Sequence, residues 1–327
     1  MKKIIIFLFG LVLIPVLFAK SAQAVSPTDL VGWWKLDETT GTTVYDSATS
    51  LHNGMNYGAL VGEPGKIGTS YRFDGVDDYI EVPETDFDIT GPLTVEGWIK
   101  PNNYNEVHTI VSKWRDFDGS DQRGYALAVH PNGRVLFDIS FWGWDWEEIG
   151  TDPSVPLPLN EWSHLAGTWD GTEMQLYVNG ELKSSWSYIP GTPLYSNDEP
   201  VLIGATDGWG GYGRHFSDAY IDDVRIWARA LSAEEIVETM AAVTPEEAID
   251  ELITEVQGLE LPRGSKTLLL TKLKLAKYFL NQGRIPVAKL SLYSFIQQVE
   301  RLARLGLLSE EVASGLVSSA QQIIASI

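Results

Sequence analysis

Turn dipeptides punctuate the first two thirds of this chain: Asn53-Gly54, Asp74-Gly75, Asn132-Gly133, Asp170-Gly171 and Asn179-Gly180. Gly accepts positive φ freely and Asn or Asp tolerates it, so each pair favours a tight hairpin turn. Between them lie short β-prone runs such as residues 93–100 and 174–178. Many short strands with frequent turns predict an antiparallel β-sandwich over residues 25–242. All twelve Trp lie between Trp33 and Trp227, and about 220 residues suffice for one large core.

After Trp227 the period changes from two to that of a helix. Ser232-x-x-Glu235 and Thr244-Pro245-x-Glu247 read as helix starts, the second with Pro at the first helical position. Apolar residues then recur at helical spacing, for example Leu269, Leu273, Ala276 and Leu280, or Phe295, Val299 and Leu302. Gly258, Gly283 and Gly306 mark expected helix ends. The fold expected is mainly β, a two-sheet antiparallel jelly roll, with a C-terminal α-helical bundle of about four helices over 243–327.

Lys2 and Lys3, an apolar run over residues 4–19 and the small-x-small triplet Ala22-Gln23-Ala24 read as an export signal over residues 1–24. A membrane anchor is the competing reading, but the run is short for a bilayer. No integral membrane segment is then expected after cleavage. The chain has no Cys, so a disulfide framework is excluded. Net charge is −20, and −23 once Lys2, Lys3 and Lys20 are removed. The nine acids and nine cations of residues 244–327 cancel, so the negative excess belongs to the sandwich. Such a surface repels nucleic acid and attracts cations.

Residues 220–227, Tyr-Ile-Asp-Asp-Val-Arg-Ile-Trp, form the strand with the sharpest chemical demand. Strict alternation puts Tyr220, Asp222, Val224 and Ile226 on one face and Ile221, Asp223, Arg225 and Trp227 on the other. A carboxylate among apolar neighbours needs a cation or several donors. Asp222→Ala is therefore expected to destabilise more than Asp223→Ala.

Several motifs recur in a familiar order. They include Gly32-Trp33-Trp34-Lys35-Leu36-Asp37-Glu38, Tyr71-Arg72-Phe73-Asp74-Gly75 with Asp77-Asp78-Tyr79, Leu93-Thr94-Val95-Glu96-Gly97-Trp98, and Trp162-Ser163-His164-Leu165-Ala166-Gly167-Thr168-Trp169. With Ile221-Asp222-Asp223-Val224-Arg225-Ile226-Trp227 and Ala230-Leu231-Ser232, this resembles the laminin-G-like jelly rolls of the concanavalin A-like superfamily over nearly all of 28–242. The resemblance implies two curved antiparallel sheets, carbohydrate or glycoconjugate binding, and in many members calcium. The tail, through Phe295-Ile296-Gln297-Gln298-Val299, is similar to the FIMAH-type helical module of bacterial exported and surface proteins.

Calcium takes several hard oxygens in a flexible cage. The first candidate set is Asp46, Asn53 and Asp222, where the resemblance supports a structural ion; the bland reading is a turn cap at Asp46 and backbone amides on Asp222. The second is Asp121, Gln122 and Asp207, matching in residue type the loops that hold calcium in pentraxin relatives, against an ordinary solvated acidic loop. Asp74, Asp77 and Asp78 read as turn residues. Trp142, Trp144 and Trp146 fall on one face at strand spacing, a sugar-stacking platform if that face is open. Trp209 and Tyr212 join it by analogy, whereas Trp33, Trp34, Trp98, Trp162, Trp169 and Trp227 read as core.

The paired-carboxylate Glu-x-Asp-x-Glu signature of related glucanases is absent, and Asp145-x-Glu147 does not supply it. The five His lack metal-ligand spacing. The reading is a secreted or cell-surface, bacterial, non-catalytic protein binding a polysaccharide or a glycoprotein glycan. A protein-binding adhesion module, with the helices docking a partner, is the alternative, and a polysaccharide-degrading enzyme the remote third.

Overall fold

The computed structural model describes residues 29–48, 51–83, 86–116, 119, 121–188, 191–208, 214–241 and 245–327. The expected export signal and the expected boundary at 242–243 lie outside the described residues, as does the Thr244 cap.

The first strands are β1 (Leu30–Trp34), β2 (Thr43–Val44), β3 (Gly54–Tyr57), β4 (Leu60–Pro64), β5 (Thr69–Asp74) and β6 (Tyr79–Val82). The long central strands follow: β7 (Leu93–Pro101), β8 (His108–Arg115), β9 (Gln122–Val129), β10 (Val135–Ile139), β11 (Glu147–Gly150) and β12 (Ser163–Trp169). The last are β13 (Glu173–Val178), β14 (Glu181–Ser187), β15 (Val201–Ile203), β16 (Ala205–Asp207), β17 (Arg214–Phe216) and β18 (Asp218–Trp227). One sheet runs β14-β13-β12-β7-β18-β5-β4, with β1 on β18; the other runs β11-β10-β9-β8-β15-β6-β3-β2, with β16 and β17 at its side. Neighbours pair antiparallel apart from a single β16–β8 bridge, Asp207 to Arg115. This is the expected jelly-roll sandwich.

Four of the five turn dipeptides sit where backbone geometry needs them: Gly75, Gly133, Gly171 and Gly180 all have positive φ. Asn53-Gly54 does not make a turn. Gly54 opens β3, and the Asn53 amide oxygen accepts from Asp46 N at 2.8 Å. Between the sheets lies one core, including Phe73, Val95, Ile99, Phe137, Leu165, Trp169, Val224 and Ile226. Burial of such side chains contributes about 1.5–3 kcal/mol each.

The strict alternation expected along residues 220–227 fails at Asp223. Its φ is +54°, and the pairing of β18 with β7 shifts register between Asp222 and Arg225. This bulge inserts one residue, so the phase flips. Ile221, Val224 and Ile226 all reach the core, and Asp222 leaves the face to which alternation assigned it, that of Val224 and Ile226.

On the outer side of the first sheet, Ala166, Tyr177 and Trp227 pack with Leu231 and Ile236. Ile236 belongs to α1 (Ala233–Thr239), which the Ser232–Glu235 capping box starts. Four further helices form the tail: α2 (Pro245–Gly258), α3 (Arg263–Asn281), α4 (Ile285–Arg304) and α5 (Glu310–Ser326). Their own core holds Leu252, Leu269, Leu273, Phe295, Val299 and Leu316. Gly283 and Gly306, just past α3 and α4, take positive φ. The helices pack in a ring, α2 on α3, α3 on α4, α4 on α5 and α5 on α2. The sandwich meets this bundle through α2 and α5: Lys35 pairs with Glu251 at 3.4 Å, and the Tyr45 hydroxyl lies 2.9 Å from Ser314 Oγ.

Candidate functional site

Residues 141–146 join β10 to β11 as a loop, not as the strand expected from their spacing. Its three indoles nevertheless all reach solvent: Trp142 is 55 %, Trp144 65 % and Trp146 52 % exposed. The loop is built from within. Asp145 Oδ1 accepts from Ser140 Oγ at 3.0 Å and from Trp142 N at 2.9 Å. Gly143 N donates to Ser140 Oγ at 2.9 Å. Gly143 has φ +80°, and a Cβ there would fall 2.7 Å from the Tyr195 ring. Arg123 donates to Trp144 O and lies 4.8 Å over the Trp146 ring. Phe141 anchors the base, stacked on Tyr188 at 4.4 Å and edge-on to Trp169 at 5.5 Å. Exposed indoles on a braced loop cost little ordering entropy on binding, the property a stacking platform needs.

Of the other expected platform residues, Trp209 and Tyr212 lie outside the described residues. Sequence reasoning missed Trp186, which is also exposed. It sits on β14, two residues before the Tyr188 that stacks on Phe141. A lone Trp in the polar run Glu181–Ser187 was the available signal. Of the Trp expected in the core, Trp33, Trp34, Trp98, Trp169 and Trp227 are buried, and Trp162 is half-buried.

The acidic candidates divide into separate groups. Trp34 pairs with Val224 of β18 on one side and bridges Asp46 on the other, so β1 stands between Asp46 and the strand carrying Asp222. Asp46 Oδ1 accepts from Trp33 N at 3.0 Å and Ala48 N at 2.9 Å, and Asn53 is bonded to its amide. Asp222 belongs with Asp37. Its Oδ2 accepts from Lys66 N and Ile67 N at 2.8 and 2.9 Å, while Oδ1 is buried with no hydrogen-bond partner among the described residues. Asp37 Oδ1 accepts from Thr69 N at 2.7 Å. The turn between them depends on Gly68, φ +62°, where a Cβ would fall 2.3 Å from Asp37 Oδ1.

Burial, reinforced by the Asp223 charge, pushes the Asp222 carboxyl up to about 9. Burial likewise pushes Asp37 to about 6. A carboxyl so placed is short of positive charge, which a hard cation can supply.

Asp207 gives both oxygens to the Arg214 guanidinium, Oδ2 at 2.8 Å from Nη2. Asp121 faces Arg123 at 3.8 Å, and Gln122 Oε1 accepts from the Tyr195 hydroxyl at 3.4 Å. The loops do meet, through Asp116 N to Asp207 O at 3.1 Å, but a cation at this second site must displace a guanidinium. Asp74, Asp77 and Asp78 bring one oxygen each within 4.8 Å of one another and could hold a metal. They also shape the turn, as expected. Asp74 N donates to Asp78 Oδ2 at 3.0 Å and Val76 N to Asp74 Oδ1 at 2.8 Å.

Asp138 escaped the sequence reading, although it interrupts the apolar run of β10. Val135, Phe137 and Ile139 point into the core, so Asp138 points to the opposite face, between Ala126 and Glu148. Both its oxygens are buried without a hydrogen-bond partner among the described residues. Burial, with Glu148 nearby, raises its carboxyl well above the ordinary range, partly offset by Arg134. A raised pKa means that the folded state binds the proton more tightly, so stability is lost as pH rises through the folded value. Asp138→Val, nearly equal in volume, is expected to stabilise the sandwich by about 1–3 kcal/mol at neutral to alkaline pH. The gain should shrink on acidification; urea unfolding at several pH values measures it.

Comparison with known proteins agrees with this architecture. Domain 4 of AbnA, an extracellular arabinanase from Geobacillus stearothermophilus solved in complex with arabinotriose, superposes with a TM-score of 0.51 at 18 % identity, covering 65 % of this chain and 98 % of that domain. The botulinum neurotoxin serotype D binding domain superposes with a TM-score of 0.50 at 20 % identity, covering 67 % of this chain and 52 % of the other. This chain thus spans about half the length of that toxin domain. No curated protein sequence matches it. The Laminin_G_3 family model, described as concanavalin A-like lectin/glucanases superfamily, matches residues 74–237. Half of the chain therefore fits that model across both sheets, and the protein belongs to the concanavalin A-like lectin/glucanases superfamily.

Proposed function

We propose that this protein is a secreted or cell-surface, non-catalytic carbohydrate-binding protein, with Trp142, Trp144 and Trp146 as its stacking platform. The observation that carries this reading is that three indoles of one short loop are more than half exposed while hydrogen bonds hold the loop's shape. Pyranose and furanose rings offer apolar C–H faces to such indoles and hydroxyls to flanking polar groups. The likeness in fold to an arabinotriose-bound domain supports a polysaccharide or glycan ligand. Asp145, the acid within the loop, is engaged in building it, which supports binding without cleavage. Export rests on the basic, apolar and small-residue pattern of residues 1–24.

Calcium enters as a loop-fixing ion held by the free Asp222 oxygen with Asp37, and at Asp74, Asp77 and Asp78. At Asp222 the ion would supply positive charge to a carboxyl that burial otherwise keeps protonated at neutral pH. Asp222, at about 9 without metal, must lose its proton to bind calcium. The thermal stabilisation by calcium is therefore expected to grow between pH 6 and pH 9. At a hundredfold excess over Kd it amounts to about 2.7 kcal/mol. Calorimetric melting with calcium or chelator tests this, and Asp222→Asn should abolish the pH-dependent part; identical melting curves in both would refute it.

A glycan array probed with residues 25–327 tests the function itself. Retention on glycans supports the reading. Silence on every glycan, with capture of a protein instead, assigns the adhesion alternative.

A further inference from the structure

The bundle is electrically two-sided. Residues 263–304, which form α3, α4 and their connection, carry nine Lys or Arg against one acid, Glu300. Residues 245–262 and 305–327 carry eight acids and no cation. The helices that meet the sandwich, α2 and α5, are the acidic pair. Since α3 packs on α2 and α4 on α5, the basic hairpin is the side turned away from the sandwich.

That outer side is also apolar. Leu268, Leu275 and Tyr278 on α3 are exposed, spaced at i, i+7 and i+10, which is one face of a helix. Leu290 and Tyr293 on α4 are exposed three residues apart, Leu290 to 66 %. Exposed cations border these faces: Arg263 and Lys274 flank the Tyr278 side of the α3 face, and Arg301 and Arg304 fall on the α4 face. Lys277, by contrast, is paired with Asp250, and Lys272 is bonded to Ser294.

We propose that the α3–α4 hairpin docks the protein on an anionic phospholipid surface. Cations that border exposed Leu and Tyr match the two layers of such a surface, phosphate outside and acyl chain beneath. A soluble polyanion would use the cations and leave the leucines without a role. The sandwich, although strongly acidic, does not oppose this, because at physiological salt charges are screened beyond about 8 Å and the bundle stands between. Docked this way, the glycan-binding domain faces outward, and the protein is retained without a membrane-spanning helix; among the described residues none is long and apolar enough to cross.

Residues 25–327, which contain every described element and lack the apolar leader, are mixed with vesicles and sedimented. The probes are pure phosphatidylcholine and equimolar phosphatidylcholine and phosphatidylglycerol. Binding is expected to the second and not the first, and to weaken in high salt. Each surface cation contributes roughly fivefold in affinity, so Arg263→Gln, Lys274→Gln and Arg301→Gln together should lower it on the order of a hundredfold. Leu275→Ser with Leu290→Ser, which keeps every charge, should lower it by about tenfold. All five sites are exposed, so circular dichroism should show the variants folded. Equal binding to both vesicles, or binding unmoved by the Gln variants, overturns the proposal. So does soluble polyphosphate held as tightly as vesicles with the Leu→Ser variant unaffected, which would assign a phosphate polymer. Glycan binding is read separately, so failure here leaves the platform standing.

Discussion

Glu96→Ala is expected to cost about 3–5 kcal/mol of stability, read as a fall in the urea midpoint. Glu96, on β7, is fully buried at the centre of a charged network. Its Oε1 accepts from Trp227 Nε1 at 2.9 Å and its Oε2 from Thr239 Oγ1 at 2.7 Å. His164 Nε2 lies 3.4 Å from Oε2 and Arg225 Nη1 3.9 Å from Oε1. Burial pushes this carboxyl up, but His164, Arg225 and Thr239 together outweigh it and hold the pKa below the ordinary value. Truncation leaves the buried indole N–H without its acceptor, costing about 1–3 kcal/mol. It also leaves the Arg225 guanidinium and His164 without their carboxylate, while the Thr239 hydroxyl keeps Ile236 O at 2.8 Å. Thr239 is the last residue of α1 and its carbonyl accepts from Arg225 at 2.9 Å, so the helix should also loosen and its backbone become open to protease. A depressed carboxyl contributes stability above its unfolded value, lost as pH falls through the folded one. The gap between wild type and variant should therefore close in acid. A Glu96→Ala protein as stable as wild type at neutral pH would show that the network contributes nothing.

Asp223→Ala should destabilise more than Asp222→Ala, the reverse of what strand alternation implies. Asp223 Oδ2 lies 2.7 Å from Arg225 Nη2, and Asp223 Oδ1 accepts from Trp33 Nε1. The 2.7 Å contact is ionic and not aligned as a hydrogen bond, yet Arg225 is itself buried. Breaking a buried pair by removing one partner costs about 3–5 kcal/mol. Ala also tolerates φ +54° less well than Asp, adding about 1 kcal/mol. Asp222 is different: without metal its carboxyl is protonated at neutral pH, and its loss surrenders two amide hydrogen bonds, about 1 kcal/mol each. Unfolding of both variants in chelator measures the difference, and a larger loss for Asp222→Ala would contradict the bulge-based account.

Local chemistry was legible in the sequence. Gly75, Gly133, Gly171 and Gly180 marked turns because positive φ is a property of the residue itself. Ser232 and Glu235 marked a helix start because the capping box closes within four residues. The bundle core at Phe295 and Val299 followed from period alone. What failed depended on distant parts of the chain. The bulge at Asp223 is settled by pairing with β7, so alternation read Asp222 onto the wrong face. Asn53-Gly54 has the composition of a hairpin, but Asp46 claims Asn53 and β2 pairs with Gly54. Glu96 and Trp227 are 131 residues apart, and no local pattern announces that they meet. The Trp loop was singled out by a strand spacing that its backbone does not have, yet its three indoles do reach solvent.

The most direct test of the account is calorimetric titration of a glycan selected on the array into wild type and into Trp142→Ala, Trp144→Ala and Trp146→Ala. Stacking contributes about 0.5–1.5 kcal/mol per ring beyond area burial, so each substitution should weaken binding roughly tenfold or more with the melting temperature unchanged. Full affinity retained in all three would contradict a stacking platform on this loop.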